Sequence, residues 1–107
     1  MDKIIKKLEE IAREEMRRGV MERGAFNSRH EGYAVMEEEF EEFEEEYDRI
    51  VLKKAELWKC IKKDDANITP QLVSLSKVAL RCGAELMQFV AMAMKMTAYE
   101  NYNKKPE

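Results

Sequence analysis

A chain of 107 residues with 22 acidic and 19 basic side chains, formal charge −3, is the size of one domain and lacks the basic excess that a nucleic-acid binder uses. Apolar residues make up 45%, and only four Gly and two Pro are present. That composition leaves little turn chemistry for a sheet and points to an all-α fold, a small bundle of three main helices completed by homo-oligomerisation.

The charge is unevenly spread. Residues 1–50 hold 9 basic and 16 acidic groups, whereas residues 51–107 hold 10 and 6. A polyanionic ligand therefore meets repulsion in the first half unless a metal intervenes, and no direct nucleic-acid contact is expected. Cys60 and Cys82 have no CxxC or Cys-His spacing and read as free thiols of a reducing compartment. Met1 to Lys7 has no uninterrupted apolar core of a signal peptide, and residues 84–99 are cut by Glu85, Gln88 and Lys95, so a cytoplasmic protein without membrane contact is expected.

Taken in order, residues 1–24 form an amphipathic helix capped by Asp2, with Ile4, Ile5, Leu8, Ile11, Ala12 and Met16 at helical spacing and an end near Gly19. Gly24 to Ser28 is a loop. Ser28-Arg29-His30-Glu31 has the form of a capping box, which opens an acidic helix over 28–63. No Gly or Pro interrupts Tyr33 to Asp65, so this helix is either continuous or kinked into two. Asp64 to Pro70 is the second loop. Thr69 as N-cap and Pro70 at the first helical position start a central helix over 69–100, with a tail from Asn101 to Glu107 expected to fray.

Eight of the ten residues from Glu37 to Glu46 are glutamate; Phe40 and Phe43 fall in step with Met36, Tyr47 and Ile50 and predict a core stripe that continues through Val51, Ala55, Trp58 and Ile61. The glutamates form eight i,i+3 or i,i+4 pairs, each costing a helix about 0.2 to 0.5 kcal/mol. A divalent cation would relieve that cost. Helix geometry places Glu38, Glu39, Glu42 and Glu46 as a ladder at one edge of the stripe, a set of hard oxygen donors suited to Mg²⁺ or Mn²⁺; a solvated acidic face of a bundle or coiled coil is the other reading. Glu85 and Gln88 stand out on the central helix, in one polar row with Ser74, Lys77, Arg81 and Lys95. His30 is read as structural, and the methionines at 87, 92, 94 and 96 as core filling.

His30-Glu31-Gly32-Tyr33-Ala34-Val35, Glu38-Glu39-x-x-Glu42 and Glu85-x-x-Gln88-x-x-Ala91-Met92-Ala93 resemble the small phage and bacterial members of the MazG-like all-α nucleoside triphosphate pyrophosphatase superfamily. The resemblance spans roughly residues 26–96. It implies a dimeric or tetrameric helical bundle that holds Mg²⁺, or Mn²⁺, and hydrolyses a nucleotide to its monophosphate and pyrophosphate. Carried over residue by residue, it makes Glu38, Glu39, Glu42 and Glu85 the metal ligands, with Glu46 and Gln88 as additional candidates. Glu39 is the expected base, and Arg81 and Lys95 the expected phosphate contacts. Gln88 stands where the family usually has Asp, and the interval from Glu42 to Glu85 is longer than usual. Those departures define the alternative, a catalytically silent helical module that binds a nucleotide or a protein partner.

Overall fold

The computed structural model describes residues 1–104. Its three helices are α1 (Asp2–Arg23), α2 (Arg29–Lys62) and α3 (Thr69–Asn103).

Each helix end has a local cause. α1 stops at Gly24, whose φ of 77° is a left-handed value cheap only for glycine, and whose N–H donates to the Val20 carbonyl at 2.7 Å. Gly19 is thus inside the helix and does not end it. A Cβ there would lie 3.7 Å from Met92 Cε, so this glycine marks a close approach of α1 to α3. Asp2 is no cap either. Met1 holds the N-cap position without a side-chain bond, and Asp2 stands in the first turn, where its charge suits the positive end of the helix dipole.

At α2, Ser28 is extended and its hydroxyl accepts from the Glu31 N–H at 3.0 Å. The Glu31 carboxylate accepts from Asn27 Nδ2 at 3.1 Å, where a full capping box would have it turn back to Ser28. α2 then runs unbroken to Lys62, which settles the continuous form over the kinked one. At α3 the cap is Ile68 and not Thr69; the Thr69 N–H donates to Asn67 Oδ1 at 3.0 Å, and Pro70 sits in the first turn. α3 continues through Asn103, so Asn101 to Asn103 are helical, and residues 105–107 of the expected frayed tail lie outside the described residues. Among the described residues no helix is long and apolar enough to cross a membrane.

α2 and α3 form an antiparallel hairpin, tied at its open end by a two-pronged Arg29 to Glu100 ion pair. α1 lies against α3, and no α1 Cα comes within 8 Å of an α2 Cα. The core sits where α1, the first loop and the hairpin meet: Phe26, Ala91 and Met92 are buried there, with Met16, Val35, Met36, Met96 and Tyr99 packed around them. Gly32 belongs to this corner. A Cβ on it would run into Met96 Sδ and come within 3.1 Å of Phe26 Cδ2, so any side chain at this position must displace the tip of Met96 and press on the Phe26 ring.

The predicted core stripe of α2 is corrected. Val35, Met36, Glu39, Phe43, Glu46, Ile50 and Leu57 are the shielded positions, while Phe40, Tyr47, Val51, Trp58 and Ile61 are 36 to 57% exposed. α2 has apolar residues on two neighbouring faces, and with α3 as its sole helical neighbour only one of them is covered. Lys95, a member of the polar row of α3, is buried at 6% exposure.

Replacing Gly32 with Leu should lower stability by about 1 to 3 kcal/mol through overpacking. Gly83→Ala, where a Cβ meets nothing within 4 Å, should raise it by about 0.5 to 1 kcal/mol through helix propensity. Urea-denaturation midpoints of the two variants check the contrast.

Candidate metal centre

The side of α2 toward α3 carries glutamates because the 3.6-residue period places Glu39, Glu42 and Glu46 on successive turns there, with Glu39 and Glu46 shielded and Glu42 at the exposed edge. The antiparallel hairpin sets Glu85 opposite them. Among the described residues, Glu39, Glu42 and Glu85 each bring one carboxylate oxygen within 4.8 Å of the others. Glu39 and Glu85 are half-buried and Glu42 is exposed, so the group is reached from solvent.

This convergence is electrostatically costly. Burial pushes the Glu39 carboxyl above its usual range, and Glu42, Glu85 and Glu38 push it further. Burial also raises Glu85, reinforced by Glu42 and Glu46 and opposed by Arg81. Three hard oxygen donors whose mutual repulsion favours added positive charge fit a small divalent cation such as Mg²⁺ or Mn²⁺.

The remaining expected site residues fall around this group. Glu38 is exposed and outside it, contributing through its charge on Glu39. Glu46 is buried at 6% exposure; its Oε1 accepts from Arg49 Nη1 at 2.9 Å and lies 3.5 Å from Arg81 Nη2, while its Oε2 is buried without a hydrogen-bond partner. Arg81 is therefore engaged with Glu46 at the edge of the cluster. Gln88 Nε2 donates to Glu15 Oε2 at 2.9 Å, so its amide is turned toward α1.

A cavity of about 250 Å³ opens beside the cluster, and Glu39 is common to both. Its walls include Glu15 and Arg18 of α1, Phe26 of the loop, and Gln88 and Lys95 of α3. Lys95 Nζ stands 4.3 Å from the centroid of the Phe26 ring, a cation–π contact, and burial lowers the pKa of its ammonium despite the charge of Glu31. The hydrogen bond from Gln88, and the ion pair with Arg18, hold the Glu15 carboxyl below its usual range although burial opposes them.

The α1 contribution was not read from the sequence, where α1 carries no visible chemistry. The signal was nonetheless present: Glu15 falls between Ala12 and Gly19 on the face that packs against α3, an acid on a packing face.

The raised Glu39 and Glu85 values fix the sign of a pH effect. A carboxyl whose folded pKa exceeds its unfolded value contributes stability below the unfolded value, lost as pH rises through the folded one. Glu39→Gln should therefore melt higher than the wild type at pH 7, by about 2 to 5 °C for a domain of this size, with the advantage vanishing below about pH 4. Mg²⁺ should raise the wild-type midpoint and leave that of Glu39→Gln nearly fixed. Thermal scans across pH, with and without Mg²⁺, measure both effects. In comparison with known proteins, no family model, no curated protein and no solved structure matches the chain significantly.

Proposed function

We propose that this protein is a Mg²⁺-dependent nucleotide pyrophosphohydrolase that cleaves a nucleoside or deoxynucleoside triphosphate to its monophosphate and pyrophosphate. The observation that carries the reading is the meeting of three carboxylates from two helices, one of which, Glu39, also lines a cavity that holds a buried lysine. It agrees with the resemblance of the Glu38-Glu39-x-x-Glu42 and Glu85 segments to the MazG-like superfamily.

In this reading Glu39, Glu42 and Glu85 hold the cation, and Glu38 joins through its charge or a bridging water. A divalent cation held by these residues would supply Lewis-acid charge to the phosphates and would make a water more acidic. Glu39, already pushed toward proton affinity, accepts the proton of that water. Arg81, held beside the cluster by Glu46, offers its exposed guanidinium to a phosphate. Lys95 supplies a positive charge inside the cavity, where little water competes for it. Glu46 positions Arg81. Gln88 orients Glu15 across the cavity wall.

We place the protein in the cytoplasm, working as a homo-oligomer. The second reading, a silent nucleotide- or partner-binding module, draws on Gln88: a neutral amide bound to Glu15 adds no charge to a cation.

Incubation with a panel of canonical and modified nucleoside triphosphates and Mg²⁺ should release pyrophosphate from at least one of them. Glu42→Gln and Glu85→Gln should each lower that rate by roughly 100-fold or more with unchanged helicity. Tight nucleotide uptake in calorimetry without product would instead favour the silent module. Neither uptake nor release from any nucleotide would reject the enzymatic reading.

A further inference from the structure

The uncovered face of α2 is patterned. Tyr33, Glu37, Phe40, Glu44, Tyr47, Val51, Lys54, Trp58 and Ile61 follow one another at alternating intervals of four and three, and every one of them is exposed. That is the seam of a coiled coil. Its six apolar members keep 36 to 65% of their surface in water. Among the described residues no helix lies along this seam, because α1 packs on α3 and stays away from α2; α3 reaches its edge only where Phe89 meets Phe40 at 5.4 Å between ring centroids. Around Val51, Lys54, Ala55, Leu57, Trp58 and Ile61 it is hollowed into an apolar groove of about 500 Å³.

We infer that the seam is the contact between two copies of this chain, paired antiparallel about a two-fold axis near residue 49, with Glu44 of each protomer facing Lys54 of its partner.

Three arguments select this occupant and this direction. The first is area. From their exposures, the five apolar side chains that gain a counterpart, Phe40, Tyr47, Val51, Trp58 and Ile61, present roughly 500 Å², and the stems of Glu37, Glu44 and Lys54 add to it, a large share of the ~800 Å² that one partner gives to a stable interface.

The second is charge. In a parallel in-register pair, Glu37, Glu44 and Lys54 would each meet their own copy, like charge on like charge. Reversal about residue 49 sets Glu44 against the partner's Lys54 and Tyr47 against the partner's Val51. It also stacks Phe40 on the partner's Trp58 and brings Glu37 to the partner's Ile61, at the outer edge of the contact. Every member from Glu37 to Ile61 then has a counterpart, and opposite charges share a layer.

The third is self-complementarity. A two-fold contact must use the same patch on both copies, and the seam maps onto itself under this reversal. Beyond it, Lys62 of one copy comes near the acidic run before Phe40 of the other.

This pairing stands apart from the proposed catalysis. Glu42 lies about 180° around α2 from Val51 by helix geometry, so the carboxylate cluster stays open in the pair. Tests of the seam and of the enzyme therefore fail independently.

Light scattering at micromolar concentration should give a mass of two chains or an even multiple. E44K should raise the dissociation constant at least tenfold, and E44K/K54E should return it to within threefold of the wild type. Direction is read by disulfide trapping in a chain with Cys60→Ser and Cys82→Ala. E44C alone and K54C alone should stay uncrosslinked, while a mixture of the two should give a linked dimer. Residues 44 and 54 are about 15 Å apart along one helix, too far to bridge within a chain. A monomeric wild type would overturn the inference. So would E44C chains that link to each other as readily as to K54C chains.

Discussion

The structure depends on the seam where α2 and α3 face one another, and on the carboxylates placed inside it. Most of that seam is ordinary apolar packing, yet the turns of α2 opposite residues 82–88 present Glu39, Glu42 and Glu46, and α3 answers with Glu85. A helix pair gains nothing by enclosing four acids. Part of the conflict is relieved by Arg49 and Arg81, which take up Glu46. The rest is left in Glu39, Glu42 and Glu85, where burial first and then the neighbouring carboxylates raise the proton affinities of Glu39 and Glu85. Such local conflict with good packing is where the proposed site is placed.

The rest of the fold supports that placement. Gly32 lets the first loop and the hairpin close around Phe26, Ala91 and Met92, and this corner carries the cavity that Lys95 and Gln88 line. α1 does more than cover apolar surface. Its Glu15 takes the Gln88 amide and turns a neutral position on α3 into part of an ionic wall. Away from this corner the hairpin is thin, and its second apolar stripe is open.

Much of this was legible in the residues. The absence of Gly and Pro from Tyr33 to Asp65 pointed to helix throughout, continuous or kinked, and the i,i+3 and i,i+4 crowding of glutamates marked the costly segment. Which apolar stripe faces α3 was not legible, because α2 has two stripes a residue apart and periodicity alone does not rank them. The choice falls to tertiary packing, and it puts Glu46 inside and Tyr47 outside. The caps were misjudged for a similar reason. Asp2 and Thr69 have the right chemistry one residue too late, since Met1 and Ile68 hold the cap positions. The burial of Lys95 was not legible from its polar neighbours on α3; it depends on the Phe26 ring, supplied by a loop about seventy residues earlier.

Everything functional here follows from acidic oxygens of two helices sharing a space that one small cation could fill. The most direct test is anomalous diffraction from crystals soaked in Mn²⁺. The account predicts a peak bounded by Glu39, Glu42 and Glu85, within about 2.0 to 2.4 Å of an oxygen from each. Well-ordered density for the three carboxylates, with water alone among them at saturating Mn²⁺, would contradict it.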